Sequence, residues 1–449
     1  MMGAFPLEIV EFIASFISDD SLAPYATISR TWQAAIERRL FSHLILDNKR
    51  EDLSDFPRIV WANPARRMFL RYIVFKVFAN NRPLPSEAMT SDLRQLFCIL
   101  AEKNDNKEIT LELIFYESSE EDGPRYEHGH PEPRFGSTGA FGERFATVEC
   151  VSRLVLQVDV YERPALLTAI NLMKRLPCLR SITVFGDEMH TYPEDRHGLA
   201  TALASILSRT ECLEVTLGID TILPREYNTE LSWFSPQVTP GSVSLPPYDT
   251  LGATVRMWSH NLVYLNISGI FDSSLFWPSK NEKSEITATP WPRLKEFHAS
   301  LALMTPAGRW YFVENPEIPQ VQDDPRDDTL WPLFKAWAKA IESMPVLEQA
   351  SVTFDVMAYP FSDDCPYIWS VIFLIPDAIP DDSLRLRSEK LDAYSHNSRL
   401  IFHDIYYGWR LDDTTIRKLR AVLNNRFPNK KMVELEFTAG FNVREVTTN

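Results

Sequence analysis

VSRLVLQVDVY, residues 151–161, sets a pattern that recurs through much of the chain. Apolar residues stand at positions i, i+3 and i+5 (Val151, Leu154 and Leu156), an aspartate follows at i+8, and a tyrosine closes the run at i+10. The full spacing recurs at Leu179, Ile182, Val184, Asp187 and Met189; at Cys212, Val215, Leu217, Asp220 and Ile222; and at Leu347, Ala350, Val352, Asp355 and Met357. It recurs in part at Leu262, Leu265 and Ile267 and at Leu294, Phe297 and Ala299. Because residues two apart on a strand share a face, each run predicts a half-buried β-strand that ends in a turn.

The segments between these runs predict helices at 164–176, 196–208 and 330–343. Four more apolar runs are strand candidates that would extend the sheet at both ends: 69–78, 109–116, 398–405 and 432–437. Strands that alternate with helices predict a mixed α/β fold with parallel strands and right-handed crossovers.

This organisation resembles the leucine-rich repeat, in which each unit adds one strand to a curved sheet. The repeat's usual asparagine at i+8 satisfies backbone groups where the chain turns, and four units carry aspartate there: Asp159, Asp187, Asp220 and Asp355. The intervals between units are irregular and longer than in regular repeats. The resemblance therefore implies a degenerate, curved strand–helix solenoid. The alternative is a non-repetitive α/β domain whose strands share a generic pattern.

The first 46 residues have a different character. Pro6 and Glu8 suit the first turn of a helix, since proline lacks an N–H that would be unpaired there and a carboxylate is stabilised by the helix dipole. Polar residues at 18–21 offer capping oxygens, and short helices are predicted at 22–28 and 33–40. So small a unit needs apolar cover from a partner or from the rest of the chain.

Residues 5–32 resemble the F-box, in particular that of filamentous fungi. The matching residues are Pro6, Glu8, Ile9, Val10, Ile13, Leu22, Ile28, Ser29, Arg30 and Trp32. Phe5 replaces the first leucine of the family pattern, Ile17 replaces a later one, and Pro24 stands in the second helix.

The resemblance implies that this module docks onto the Skp-type adaptor of an SCF cullin–RING ubiquitin ligase. The residues predicted to face the adaptor are Phe5, Pro6, Leu7, Val10, Leu22, Tyr25 and Ile28. Ile9, Ile13 and Trp32 fit either this face or the interior of the module. The alternative is that residues 5–46 are a helical cap on the repeat-like body.

Three insertions are predicted to be exposed loops: 117–142 is acidic and then rich in Gly and Pro, 228–250 is rich in Ser, Pro and Thr, and 314–328 combines prolines with acidic pairs. They are either simply solvated or form an acidic surface for a basic target.

The C-terminal third contains six well-separated tryptophans: Trp291, Trp310, Trp331, Trp337, Trp369 and Trp409. These either pack the core or anchor a recognition surface.

Composition narrows the class of protein. The 449 residues are 45% hydrophobic and 24% charged, as in a folded protein, and the formal net charge of −15 disfavours nucleic acid or an anionic membrane as the main partner. The cysteines are scattered without CxxC spacing, which predicts a reducing compartment: Cys98, Cys150, Cys178, Cys212 and Cys365. No signal peptide or membrane span is predicted, so we expect an intracellular protein of the cytoplasm, the nucleus or both.

Motifs of enzymes are missing from the sequence, including GxGxxG, GxxxxGK[ST], GxSxG and HExxH. His128 and His130 lack a third ligand at suitable spacing, so neither a metal nor a cofactor is expected. Cys98 and Cys178 are predicted to be buried thiols, and His260, His298 and His403 to bond nearby backbone groups.

The sequence thus predicts an F-box at 1–46 and a recognition region at 47–449 that binds an unidentified protein target. Such a chain would be a substrate receptor that catalyses nothing itself, and cullin would be reached through the adaptor. A binding scaffold without a degraded target is one alternative. An enzyme with an unfamiliar C-terminal site, visible as a deep pocket with convergent His and carboxylate groups, is another.

Overall fold

In the computed structural model the described residues are 5–48, 52–79, 87–102, 108–117, 145–159, 165–187, 193–207, 211–220, 248–279, 282, 291–313, 324–356, 367–379, 393–403, 409–438 and 442–445. They form a mixed α/β fold with mostly parallel strands. The chain divides into two compact units, Met1–Asp187 with Arg209–Glu211 and Glu188–Ser208 with Cys212–Asn449. The predicted domain boundary after residue 46 lies inside the first unit.

The first unit begins with short helices: α1 (Leu7–Ala14), α2 (Asp19–Leu22), a 3-10 segment (Ala23–Thr27) and α3 (Arg30–Ser42). The second predicted helix therefore starts earlier than residue 22 and continues as a 3-10 turn with Pro24 near its start. The third is longer than 33–40 because the Ser29 side chain caps it, accepting the Trp32 N–H at 3.3 Å.

Five further helical segments belong to this unit: α4 (Asp52–Phe56), a π-helical turn (Pro57–Trp61), α5 (Pro64–Phe69), α6 (Glu87–Ala101) and α7 (Ala165–Met173). Only α7 was predicted from the pattern. Asn63 caps α5 by accepting the Ala65 N–H at 3.0 Å.

The strands of the first unit are β1 (His43–Asp47), β2 (Tyr72–Ala79), β3 (Ile109–Glu117), β4 (Val151–Asp159) and β5 (Ser181–Asp187). Each pairs in parallel with the next in chain order from β1 to β5. Leu154 lies beside Ile182 and Leu156 beside Val184, and all four are buried. The i+3 and i+5 residues of these two runs are therefore neighbours in the ladder and lie on a buried face, as the spacing predicted.

The aspartates at i+8 fall at or next to the last residue of their strands. Asp159 is the last residue of β4 and Asp187 the last residue of β5, while Asp220 and Asp355 fall at the ends of two strands of the second unit. Their side chains and the i+10 residues lie outside the described part of the structure.

The second unit contains helices α8 (Pro193–Leu207), α9 (Thr250–Ser259), α10 (Asp327–Glu342) and α11 (Asp413–Arg426), and a 3-10 turn at Ser273–Leu275. Its strands are β6 (Glu214–Asp220), β7 (Tyr264–Gly269), β8 (Glu296–Leu301), β9 (Phe312–Val313), β10 (Asp324–Pro325), β11 (Gln349–Val356), β12 (Tyr367–Leu374), β13 (Ser398–His403), β14 (Met432–Thr438) and β15 (Asn442–Glu445). Within this unit the sheet order is β6-β7-β8-β11-β12-β13-β14-β15, and β9 pairs with β10 separately.

The first four of these sheet strands repeat the ladder of the first unit. In two buried columns, the aligned residues are Val215, Leu265, Phe297 and Ala350, and Leu217, Ile267, Ala299 and Val352. β12 and β15 are not among the predicted strands. β12 is antiparallel to both of its neighbours and β15 is antiparallel to β14, so the expectation of parallel strands holds for only part of the sheet. The connections at 357–366 and 439–441 are shorter than the crossover that a parallel pair requires, so the chain returns as hairpins.

The last strands of the second unit are covered on both faces. Ile372, Leu374, Ile401, Val433 and Leu435 form a separate apolar cluster, against which Ala378 and Tyr394 pack. Because this cluster covers one face of the sheet and the core covers the other, β13 is buried along its whole length.

The loop predictions need correction at their described ends. Residues 118–144, 221–247 and 314–323 lie outside the described structure, but Asp249 is buried at the start of α9, and Asp327 and Asp328 begin α10.

Core packing is confirmed for four tryptophans: Trp291, Trp310, Trp337 and Trp369. Trp331 is exposed, and Trp409 is half-buried. Among the helices that the structure describes, none combines the length and the apolar character needed to cross a bilayer.

Candidate functional site

The N-terminal helices α1–α3 enclose a small apolar core of their own. Ala14, Leu22 and Ile36 form this core, and Val10 is equally buried. Val10 and Ala14 lie one helical turn apart and so share a face of α1, the face that packs toward α3. The structure therefore places two of the predicted adaptor-facing residues, Val10 and Leu22, in the interior of the module.

Seven of the ten predicted residues lie at the surface of this module: Phe5, Pro6, Leu7, Ile9, Ile13, Tyr25 and Ile28. Phe5 is 61% exposed and Ile28 is 59% exposed. Trp32 is half-buried, and its ring stacks on that of Tyr25 with centroids 5.9 Å apart. Ile9 and Ile13, which the sequence assigned to either location, are thus surface residues.

Two exposed aromatic residues, Phe12 in α1 and Phe16 in the turn that follows it, were absent from the predicted set. The rings of Phe12 and Phe16 meet edge to face with centroids 5.0 Å apart, and the side chains are 64% and 75% exposed. Neither is among the residues that carry the resemblance, so the resemblance gave no signal for them. Their spacing of four residues on an apolar helix was the available signal.

Polar contacts fix α1 against α3. Glu11 forms an ion pair with Arg38 at 2.9 Å, and the guanidinium of Arg39 donates to the carbonyl oxygen of Ala14 at the end of α1. An arginine at a helix C-terminus satisfies a carbonyl that has no partner within the helix.

Arg66 on α5 ties the helical module to the strand-containing part of the first unit. Its guanidinium contacts Glu37 at 2.8 Å, donates to the carbonyl of Ile59 at 2.9 Å and lies 4.6 Å from the ring centroid of Phe41. The hydrogen bond from Arg66 is the main reason why the pKa of Glu37 lies below its usual value.

A hydrogen-bonded group spans three strands of the first unit, on the sheet face opposite that of Leu154 and Leu156. Tyr72 donates to Glu112 at 2.7 Å, and Gln157 donates to the other carboxylate oxygen of Glu112 at 2.9 Å. Burial and then this hydrogen bond raise the pKa of Tyr72 to about 12. His43 packs beside Tyr72 with ring centroids 4.7 Å apart. This face presents aromatic and hydrogen-bonding groups together.

The corresponding face of the second unit is centred on His298. Its Nδ1 lies 2.9 Å from the hydroxyl of Ser351, and its Nε2 lies 3.6 Å from a carboxylate oxygen of Glu296. The contact with His298 lowers the pKa of Glu296. The prediction that His298 bonds backbone groups is therefore wrong, because the partners of its ring nitrogens are the side chains of Ser351 and Glu296. Tyr264 lies beside it, with ring centroids 6.0 Å apart.

A buried charged network lies under α9 in the second unit. Arg196 pairs with Asp249, whose carboxylate also accepts the N–H groups of Leu251 and Gly252 at 3.3 and 3.0 Å. Asp272 caps the next turn by accepting the Ser274 N–H at 2.8 Å, and burial followed by the charge of Asp249 raises the pKa of Asp272. These carboxylates serve as helix caps and ion-pair partners, which is a structural role.

The same network continues through a second arginine. Arg256 forms a buried ion pair with Glu282 and donates to the carbonyl oxygen of Ser274. His260 follows in the chain and meets Trp291 edge to face at 5.0 Å. Burial and then the positive charge of Arg256 lower the pKa of His260 to about 4, so its imidazole is neutral at physiological pH.

The remaining chemical candidates do not come together. No three His, Cys, Asp or Glu residues in the described ranges are arranged to hold a metal ion. His128 and His130 lie outside those ranges. Cys98 is exposed and Cys178 half-buried, so the prediction of two buried thiols is wrong. Cys98 lies at an exposed position of α6, between the buried residues Phe97 and Ile99, so the apolar run around it gave no sign of its exposure.

Comparison with known proteins adds no identification. No family model matches the chain, and no curated protein matches it.

Proposed function

We propose that the chain is a substrate receptor of an SCF-type cullin–RING ubiquitin ligase and that residues 5–46 are an F-box that binds the Skp-type adaptor. The observation that carries this proposal is the set of seven exposed apolar side chains on one three-helix module. Large apolar side chains at a surface mark binding sites, and a module of this size needs cover from outside itself. The resemblance of residues 5–32 to the F-box supplies the class of partner.

In this proposal the rest of the chain is a degenerate leucine-rich-repeat-like solenoid that holds a protein target. Two features support it: strands β1 to β5 pair in parallel in chain order, and their inward residues align in buried columns. The opposite sheet faces offer hydrogen-bonding and aromatic groups to a target, through Tyr72, Glu112 and Gln157 in one unit and Tyr264 and His298 in the other. The chain contributes proximity, which makes ubiquitin transfer by other subunits effectively intramolecular.

A binding titration of the full chain with a purified Skp-type adaptor tests the docking step. We expect the Kd of the Pro6→Ala/Ile28→Ala double variant to be about 30-fold higher than that of the wild type. Truncating anchors at the centre of a standard-sized interface removes roughly 2 kcal/mol or more of binding free energy. The matched control is Ile379→Ala, which truncates an isoleucine of similar exposure in the second unit. Circular dichroism establishes that all variants fold.

Three outcomes decide the proposal. Tight binding that the double variant loses and the control keeps supports it. No binding by the wild type rejects it, and equal losses in both variants reject the assignment of the surface. The receptor role requires one result more: a target captured by the wild type should gain ubiquitin in the reconstituted ligase, and should not gain it with the double variant.

A further inference from the structure

Helix α1 and the turn that follows it carry a second apolar stripe that the core of the module does not use. Ile9, Phe12, Ile13 and Phe16 stand at i, i+3, i+4 and i+7, the spacing of one helix face. The turn that ends the helix keeps Phe16 in line, since its N–H donates to the carbonyl of Ile13 at 3.2 Å. All four side chains are exposed, whereas Val10 and Ala14 fill the core side of the helix.

This stripe cannot be explained by the stability of the module. The Phe12 and Phe16 rings touch each other, yet most of each side chain remains in water. Exposed aromatic side chains forgo the free energy that burial would supply, and rigid aromatic groups are the commonest anchors of protein interfaces.

We infer that Phe12 and Phe16 are adaptor-contact residues and that the stripe packs into an apolar groove of the same Skp-type adaptor. The inference rests on the proposed function. Ile9 and Ile13 belong both to the predicted docking surface and to the stripe, so the two surfaces are continuous. Side chains three or four positions apart on a helix lie about 5–6 Å from one another at Cβ. A partner that covers Ile9 and Ile13 is therefore within reach of both phenylalanines.

The charges beside the stripe favour an apolar protein groove over an anionic membrane. Glu8 and Glu11 are the only charged residues of α1, and Glu11 is already paired with Arg38 at 2.9 Å. The formal net charge of the chain, −15, would oppose approach to an anionic bilayer. An apolar partner that covers the stripe meets no unpaired Glu11 carboxylate there.

The test is an adaptor titration with the full-length Phe12→Ala/Phe16→Ala double variant beside the wild type and the Pro6→Ala/Ile28→Ala variant. Because both rings are exposed, we expect the variant to keep the wild-type circular dichroism spectrum and melting temperature. We expect its Kd for the adaptor to be about 30-fold higher than that of the wild type, and Phe12→Leu/Phe16→Leu should restore part of the lost affinity. Phe185→Ala removes an exposed phenylalanine from β5 and should leave Kd unchanged.

The outcomes separate this inference from the proposed function. If Pro6→Ala/Ile28→Ala weakens binding while Phe12→Ala/Phe16→Ala binds like the wild type, the inference is overturned and the F-box proposal stands. If the wild type does not bind the adaptor, both are overturned. Sedimentation of the same samples distinguishes the remaining outcome. If the wild type is a dimer, and Phe12→Ala/Phe16→Ala is a monomer with unchanged adaptor affinity, the stripe binds a second copy of the chain and the inference is overturned.

Discussion

Arg196 and Asp249 form a two-pronged ion pair that is almost completely shielded from water. The Arg196 Nε lies 2.9 Å from Oδ1 and Nη2 lies 2.7 Å from Oδ2, with side-chain exposures of 7% for the arginine and 1% for the aspartate. The residues are 53 positions apart, and the pair joins the first turn of α8 to the N-cap of α9. Asp249 is thus both the cap of α9 and the counter-charge of Arg196.

Removal of either partner should destabilise the protein strongly, because the other charge then remains buried without compensation. We expect Arg196→Met and Asp249→Asn each to cost about 3–5 kcal/mol in the free energy of unfolding, measured by urea denaturation. The control is Arg58→Ala, which breaks an exposed pair with Asp55 at 2.8 Å and should cost less than about 1 kcal/mol. Similar losses in buried and exposed pairs would contradict the role assigned to Arg196.

Two helical glycines should respond in opposite directions to alanine. A Cβ on Gly252 would stand 2.7 Å from both the Asp249 carboxylate and the Ser274 hydroxyl, whereas nothing lies within 4 Å of the corresponding position on Gly198. We expect Gly252→Ala to destabilise by about 1–3 kcal/mol through overpacking and Gly198→Ala to stabilise by about 0.5–1 kcal/mol through helix propensity. Thermal melts of both variants measure this contrast, and equal signs would refute it.

His260 should make the protein acid-sensitive. Its pKa is lowered from 6.5 to about 4 in the folded state, so the unfolded chain binds the proton first as the pH falls. Stability contributed by the neutral imidazole is complete above pH 6.5 and is lost progressively as the pH falls from about 6.5 to about 4. Denaturation of the wild type and of His260→Gln across this range measures the difference. An NMR titration midpoint for His260 near 6.5 would disprove the shift.

Tyr72 should resist ionisation at high pH. The phenol has a pKa of about 12 in the folded protein against 10 in an unperturbed side chain, so its contribution to stability is complete below pH 10 and lost as the pH rises through 12. The phenolate absorbance of the wild type minus that of Tyr72→Phe should give this titration. Tyr72→Phe should also cost about 1 kcal/mol at neutral pH, since Glu112 loses one of its two donors. A difference titration centred on 10 would count against the hydrogen bond.

The strand ladder was readable from the sequence because its signal is local. Leu154 and Leu156, or Leu265 and Ile267, are two apart in one strand, and burial on one face is enough to produce that spacing. β12 was not predicted as a strand. Nearly every residue in it is apolar because both faces of the sheet are covered there, so the run lacks the alternation by which the other strands were found. Strand direction leaves no such mark, because parallel and antiparallel strands have the same side-chain period of two.

In the candidate sites, too, local features were predictable from the sequence and features that depend on distant residues were not. The exposed apolar residues Phe5 and Ile28 followed from a short motif, whereas the burial of Val10 and Leu22 depended on how α1 packs against α3. Asp249 was assigned to an exposed loop because its neighbours are Ser, Pro and Thr. Its partner is far away in the sequence, and long-range ion pairs leave no local trace.

The chain-order pairing of β1 to β5 has a consequence for biosynthesis. Each strand after β1 pairs with the one immediately before it, so the partner has already left the ribosome when the next strand emerges. The first unit can therefore assemble strand by strand from the N-terminus, with no pairing that waits for distant sequence. The intervening helices set the pace in both units: α6 must be synthesised before β3 pairs with β2, and α11 before β14 pairs with β13.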